Sequence, residues 1–326
     1  MIRFSGACEG KGQEMKTAVL IPCYNEEITI AKVINDFKNA LPEAEIYVYD
    51  NNSKDRTSQI AHENGAKVVF EPRQGKGNVV RRMFREIDAD YYIMVDGDDT
   101  YPAEFSRQLL DPLINGEADM TIGDRLSNGT YRSENKRPFH NFGNNLVKSM
   151  IRKLFNNNIT DIMTGYRGFN RYFVKNFPIL SGGFEIETEM SIHALDKKFL
   201  IKEIPIDYRD RPKGSSSKLN TVSDGIKVLR TVISLFKDYK PLQFFSWLSL
   251  IFFILSLIFG IPVIAEFVAA HYISKVPSAI LAVGLMLIAI LFLMNGFILD
   301  TLVKNERKSY ELGLVRYADA EDKRKR

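Results

Sequence analysis

The chain has 326 residues, enough for one or two domains with a hydrophobic core. Its formal charge of +4 is mild, and no compact basic run with interleaved aromatics occurs in the first half, so nucleic acid is not an expected partner. Two cysteines, Cys8 and Cys23, exclude a disulfide framework or a cysteine metal cluster.

Residues 1–15 are too polar and glycine-rich for a signal peptide and read as a disordered leader. KTAVLIPCYN then reads as an apolar strand ending at Pro22. EEITIAKVINDFKNAL has helical spacing at Ile30, Val33, Ile34 and Phe37. EIYVYDNNS is a second strand closed by a turn, and KDRTSQIAHENG is a helix ended by Gly65. KVVFEP is a third strand, NVVRRMFREID a helix after a glycine-rich loop, and YYIMVDGDD a fourth strand. This alternation predicts an α/β fold with a mostly parallel sheet flanked by helices. Ligands of such sheets sit beyond the C-terminal strand ends. Those ends carry Tyr24, Asn25, Glu26, Asp50, Asp55, Arg73, Lys76, Asp96 and Asp98.

The phosphate-binding signatures narrow the chemistry. No GxGxxG follows the first strand and no GxxxxGK[ST] occurs, which argues against a dinucleotide fold and a P-loop NTPase. RQGKGN, residues 73–78, brackets Lys76 with two glycines ahead of a helix. That suits a diphosphate, and equally a solvated loop. In VDGDD, Asp96 and Asp98 flank one glycine: either a plain Asp/Gly turn or two hard oxygen ligands for Mg²⁺ or Mn²⁺.

Further on, NNITDIMTGYRGFNRYFV contains Asp161, Thr164, Gly165, Tyr166 and Arg167 in what is otherwise a plain loop. GGFEIETEMSIHALDKK crowds Glu185, Glu187 and Glu189 at the start of an amphipathic helix, with His193 packed or exposed inside it. IPIDYRDRPKGSSSKLN places Arg211, Gly214, Ser217 and Lys218 in a basic stretch. Residues 139–157 and 222–240 have amphipathic character suited to a membrane interface, or to an ordinary core helix. Residues 241–267 and 276–303 are each long and apolar enough to cross a bilayer, joined by a short link at 268–275. The lysines and arginines of the flanks predict a hairpin with 268–275 outside, and with the large N-terminal domain (16–221) and the basic tail (304–326) in the cytoplasm.

IPCYNEE, DNNSKDRT, RQGKGN and VDGDD, in this order and followed by the apolar pair, resemble a family 2 glycosyltransferase of GT-A fold. The match is to the polyprenyl-phosphate glycosyltransferase group, which includes dolichyl-phosphate mannose synthase and bacterial undecaprenyl-phosphate glucosyltransferases. The resemblance spans about residue 16 to the end of the chain. Asn51 stands where the family often has a second acid.

The resemblance implies a role for each motif. Pro22, Tyr24, Asn25 and Glu26 lie along the nucleotide. Asp50 contacts base or ribose, with an Asx turn as the structural alternative. Lys76 and Gly77 meet the diphosphate, and Asp96 and Asp98 form the DxD-type metal site for Mg²⁺ or Mn²⁺. Asp161 orients Arg167 or touches the sugar, Arg167 belongs to the TG[FY]R segment of the donor site, and Glu187 or Glu189 lies near the sugar. Arg211, Ser217 and Lys218 hold the lipid phosphate, unless that stretch is a mobile linker. The implied reaction is inverting transfer of a hexose from a nucleotide sugar, UDP-glucose-like first and GDP-mannose as the alternative, to a polyprenyl phosphate on the cytoplasmic face of the inner membrane. It would serve cell-envelope glycosylation, with a homo-oligomer expected. A processive synthase would need more spans and a QxxRW-like motif, which the sequence lacks. A non-catalytic sugar-nucleotide-binding scaffold is the alternative outside the enzyme class.

Overall fold

A computed structural model describes residues 15–128, 149–152, 154–155, 157, 159–183, 185–211 and 233–325. The leader, the interface stretch at 139–148, the helix start at 222–232, and Gly214, Ser217 and Lys218 lie outside the described residues. The chain divides into two compact units, 1–221 and 222–326.

The first unit opens with β1 (Thr17–Cys23), α1 (Ile30–Ala40), β2 (Ala44–Asp50), α2 (Thr57–Glu63), β3 (Lys67–Phe70), α3 (Lys76–Glu86) and β4 (Tyr91–Met94). It continues with α4 (Ser106–Ile114), β5 (Met120–Asp124), β6 (Arg167–Asn170), α5 (Arg171–Asn176), α6 (Ile186–Asp196) and β7 (Ile201–Pro205). Helix α1 buries Ile30, Val33, Ile34 and Phe37, the apolar stripe its spacing predicted. Strand β1 is buried along almost its whole length because it runs through the middle of the sheet. The seven strands lie in the order β3-β2-β1-β4-β6-β5-β7. All pairings are parallel except those of β6, which runs antiparallel to both β4 and β5.

Two features of this topology place the site. The chain moves outward from β1 to β2 and β3, then returns to lay β4 on the other side of β1. The gap between β1 and β4 is therefore a switch point, where such sheets leave a crevice at the strand ends. Register does the rest. Leu20 faces Met94, and the Val95 amide donates to the Leu20 carbonyl at 3.0 Å. Cys23 lies opposite Asp50, and Asp50 opposite Phe70. The loops after β1, β2, β3 and β4 thus emerge on one rim.

Helix α6 departs from expectation. It is buried on nearly every side, not amphipathic, and packs Ile186, Glu187, Thr188, Met190, Ser191, Ile192, His193 and Ala194 inside. His193 lies 4.9 Å from the Phe177 ring and 5.8 Å from Phe199, centroid to centroid. Burial pushes its pKa down to about 4, so it sits in the core uncharged.

The second unit contains α7 (Pro241–Ala270) and α8 (Val276–Lys325), preceded by helical residues 233–239. The 30 residues of α7 span about 45 Å, more than the roughly 30 Å of a bilayer core. Helix α8 continues unbroken from its apolar part through the charged tail. The two helices pack closely. Ser249 Oγ donates to the Ala289 carbonyl and Ser256 Oγ to the Ala282 carbonyl, each at 2.8 Å. A Cβ added at Gly296 would come within 3.1 Å of the Phe245 Cβ. Small residues and interhelical hydroxyl bonds are the packing devices of helices in lipid. The outward faces expose Trp247, Ile251, Ile254, Ile258, Ile264, Ile280, Leu287 and Leu291.

Candidate active site

The rim opens into a cavity of about 340 Å³ lined by Pro22, Cys23, Tyr24, Glu26, Asn51, Gln74, Gly75, Lys76, Val79, Asp96, Gly97, Asp98 and Arg211. Its acidic side is the turn after β4. Gly97 sits so close to Cys23 that an added Cβ would lie 2.7 Å from its sulfur. Thr29, 2% exposed, donates to the Gly97 carbonyl at 2.6 Å. Asp99 turns away with φ 59° and pairs with Lys32 at 2.7 Å. What remains facing the cavity is Asp96 and Asp98.

Each carboxylate is oriented. Asp98 Oδ1 accepts from the Thr100 amide at 3.2 Å and hydroxyl at 2.6 Å, and Oδ2 pairs with Arg211 at 2.5 Å. Asp96 Oδ1 pairs with the Lys76 ammonium, while its Oδ2 lies 2.4 Å from where a Cβ at Gly165 would stand. Burial, and next the charge of Asp96, raise the pKa of Asp98, against Arg211 and Thr100, which lower it. Two hard carboxylates that repel one another across a cavity fit a divalent cation, which would relieve that repulsion. Among the described residues no group of three or more His, Cys, Asp and Glu side chains is placed to hold a metal by itself. Phosphate and water oxygens would have to complete the shell, the usual arrangement for Mg²⁺.

The basic side differs from expectation in three ways. Lys76 is almost enclosed, and its ammonium bridges Asp96 and Glu187, the latter at 2.5 Å. Burial works against its charge, but Asp96 and Glu187 outweigh that and hold its pKa far above the ordinary lysine value. Gly77 does not offer its amide to a ligand: it donates to the Gly183 carbonyl at 3.1 Å. The strap at 181–183 lies over the start of α3, and a Cβ at Gly77 would meet the Ser181 carbonyl oxygen at 2.2 Å. The glycines of RQGKGN make room for the chain's own backbone. Glu189 holds the strap through the amides of Leu180 (2.8 Å) and Ser181 (2.9 Å). Arg211, expected to meet the lipid phosphate, also lines this cavity and pairs there with Asp98.

Other predicted residues are placed as follows. Pro22, Tyr24 and Glu26 line the cavity. Asn25 does not. At φ 54° it shapes the loop, its side chain accepting from the Lys54 amide at 2.8 Å and its own amide donating to Ser53 Oγ at 2.9 Å. Asp50 is 4% exposed and accepts from the Ser53 amide at 3.1 Å, the Asx-turn arrangement. Arg167 is a correction. It is fully buried, donating to the carbonyls of Thr164 (2.9 Å) and Ile162 (2.6 Å), and braces the segment from inside instead of facing the cavity. Burial lowers its pKa to about 10, with Glu187 and Asp161 supplying the opposing charge. Asp161 does not bond Arg167. It takes Arg125 in a two-point pair at 2.7 and 2.9 Å.

Several residues of the site went unread in the sequence. Asn51, noted only as a departure, accepts from the Gly75 amide at 2.7 Å and donates to the Arg73 and Glu71 carbonyls at 2.7 and 3.1 Å, tying β2 to the RQGKGN loop. Thr100 had a local signal, since Asp-x-Thr is a side-chain-to-backbone turn pattern. Thr29 and Arg125 had none, because their partners are 68 and 36 residues away.

With this geometry in view, the relatives can be stated. Residues 18–177 match the model of the glycosyl transferase family 2. Glycosyltransferase AglJ of Haloferax volcanii is 31% identical over 291 residues, covering 89% of this chain and 94% of that protein. The chain is a family 2 glycosyltransferase. A dolichyl-phosphate hexose transferase of Haloferax volcanii is 30% identical over 217 residues, covering 66% of this chain and 92% of that protein. This family 2 enzyme is therefore related to the transferases that act with dolichyl and polyprenyl phosphates. Its first unit shares the GT-A fold with Mycobacterium tuberculosis glucosyl-3-phosphoglycerate synthase, solved with Mn²⁺ and UDP-glucose. That likeness has TM-score 0.53 and 20% identity, over 69% of this chain and 79% of that one.

Proposed function

We propose that this glycosyltransferase moves a hexose from a nucleotide sugar to a polyprenyl phosphate at a membrane surface, with inversion at the anomeric carbon. The observation that carries the proposal is the convergence of Asp96, Asp98, Lys76 and Arg211 on one cavity, in a chain that also bears two helices long and apolar enough to cross a bilayer. The dolichyl-phosphate hexose transferase points to the same acceptor class.

The cavity sits where a nucleoside diphosphate fits. Tyr24 and Glu26 border the nucleotide part, and Asp96 and Asp98 would hold a Mg²⁺ or Mn²⁺ ion with the donor's diphosphate. When bound, that ion supplies charge neutralisation for the departing nucleoside diphosphate. A lipid monophosphate is already anionic near neutral pH, so its oxygen needs little help from a base. It attacks the anomeric carbon from the face opposite the nucleotide. The new C–O bond forms as the bond to the diphosphate breaks, and the nucleoside diphosphate leaves with the electron pair. Arg211 orients the acceptor phosphate and reduces repulsion between two anions; Ser217 and Lys218, from the same stretch of sequence, are proposed for the same phosphate. The protein's contribution is positioning and charge stabilisation.

The domain reading follows: a cytoplasmic catalytic unit, then a hairpin with 268–275 outside. UDP-glucose is the first donor to try, since it occupies the glucosyl-3-phosphoglycerate synthase of the same fold, and GDP-mannose is the second. The test is nucleoside diphosphate release by the detergent-purified protein, supplied with a panel of nucleotide sugars, Mn²⁺ or Mg²⁺, and a polyprenyl phosphate. Release that requires lipid and divalent ion together is expected. No release with any donor would overturn the enzyme reading of the acceptor.

A further inference from the structure

Glu187 comes from α6, a helix with no part in the cavity wall, yet its carboxylate is 2.5 Å from the ammonium of Lys76, which does line the cavity. Both side chains are nearly enclosed, at 8% and 7% exposure. Lys76 also pairs with Asp96, so one cation is shared by two carboxylates, only one of which faces the cavity. A buried lysine needs one partner to be tolerated. A second partner, placed behind it, changes what the first can do.

If Lys76 had Asp96 alone, the pair would be closed and Asp96 would offer little net charge to a ligand cation. With Glu187 also holding the ammonium, Asp96 keeps much of its own charge. The other oxygen of Asp96 is packed against Gly165, where an added Cβ would lie 2.4 Å from it. We infer that Glu187 is a positioning residue of the cation site: it acts as the counter-charge of Lys76 and thereby leaves Asp96 free to hold a divalent cation. The inference rests on the reading of Asp96 and Asp98 as the cation ligands. Glu187 does not line the cavity and acts through Lys76.

A double-mutant cycle tests it, with Mn²⁺ binding to the purified full-length protein as the readout, followed by electron paramagnetic resonance in the absence of nucleotide, so that no contact of Lys76 with a diphosphate enters the comparison. An opposite charge a few ångströms away is worth one or more pKa units to a carboxylate, so Glu187→Gln should weaken Mn²⁺ binding about ten-fold. Lys76→Met should bind Mn²⁺ at least as tightly as wild type, because it removes the competitor for Asp96. In that background, adding Glu187→Gln should change the affinity by less than about three-fold, since the residue it acts through is gone. Glu187→Asp should bind more tightly than Glu187→Gln.

Equal loss on Glu187→Gln in both backgrounds would mean that Glu187 acts on the ion directly and would overturn the inference. So would weaker binding in Lys76→Met, a measurement that stands even if Glu187→Gln does not fold. Failure of the underlying reading looks different: wild type would bind no Mn²⁺ at all, or Asp98→Asn would bind it normally.

Discussion

Asp98 is held on one side by Thr100 and on the other by Arg211, with almost no exposure to water. Asp98→Asn keeps its size and its capacity to accept from Thr100 while removing its charge. Turnover should fall by more than the roughly 100-fold typical of losing an outer partner of a metal site. Circular dichroism and thermal unfolding should stay close to wild type, and near-normal activity would remove Asp98 from the site. Arg211 now carries two assignments, since it pairs with Asp98 and is proposed to meet the acceptor. Loss of a charge-assisted contact of about 1.5–3 kcal/mol corresponds to roughly ten- to hundred-fold in acceptor-dependent efficiency. Arg211→Ala should show that loss, and Arg211→Lys should recover only part of it, for want of the planar fork. Calorimetric donor affinity without lipid then separates the roles: a change of a few-fold keeps Arg211 with the acceptor, and a collapse assigns it to the diphosphate.

His193 gives a residue-scale prediction about stability. Its folded pKa, about 4, lies below the ordinary value of 6.5. The unfolded chain therefore takes up a proton, as pH falls through 6.5, that the folded chain refuses. The stability is fully present above pH 6.5 and is lost as pH falls toward 4. The midpoint of thermal unfolding should drop across that window, and His193→Phe, which keeps an aromatic ring among Phe173, Phe177 and Phe199, should flatten the drop. An unchanged slope in the variant would assign the acid sensitivity to other groups.

At the scale of elements, the strap at 181–183 and the turn after β4 are held by close backbone approach. A methyl at Gly165 would overlap Asp96 Oδ2 and push that carboxylate from the position in which it pairs with Lys76. Gly165→Ala should therefore impair cation-dependent activity more than it impairs unfolding temperature. A methyl at Gly77 would meet backbone carbonyls of the strap, which cannot swing aside as a side-chain tip can. Gly77→Ala should destabilise the first unit by about 1–3 kcal/mol, the usual range for overpacking. The hairpin makes its own prediction. Tyr272, 69% exposed in the link between α7 and α8, should react as cysteine with an impermeant thiol reagent on intact cells. A cysteine in the tail beyond residue 304 should not react until the cells are opened. The reverse pattern would invert the topology.

For the whole molecule, the apolar faces of α7 and α8 set the environment. Side chains such as Ile254, Ile258, Ile264, Ile280 and Leu287 are 48–69% exposed, across helices with little polar surface between them. Water would penalise that exposure at about 25 cal/mol per Å². The protein should stay with membranes through an alkaline carbonate wash and leave only with detergent. Release by carbonate would show that the hairpin is covered by protein instead of lipid.

Much of this was legible along the chain. Apolar runs bounded by turn residues marked the strands through Met94, and helical spacing marked α1, because each depends on residues a few positions apart. The apolar length of α7 and α8 was equally local. The acids of VDGDD and the lysine of RQGKGN were recognisable because each lies at the end of its own strand or the start of its own helix. What the sequence could not settle by itself was which of these groups meet. Pairing of β4 with β6, antiparallel, puts Arg167 opposite Met94 and buries it beneath the site. The return of the chain through α6 brings Glu187 to Lys76, across 111 positions, and lays the 181–183 strap over the glycines that resembled a phosphate loop. A glycine that admits a phosphate and one that admits a carbonyl look alike in sequence, as do an arginine that binds a ligand and one that braces a loop. Only the tertiary structure distinguishes them, because the difference lies in which distant backbone or charge fills the space beside them.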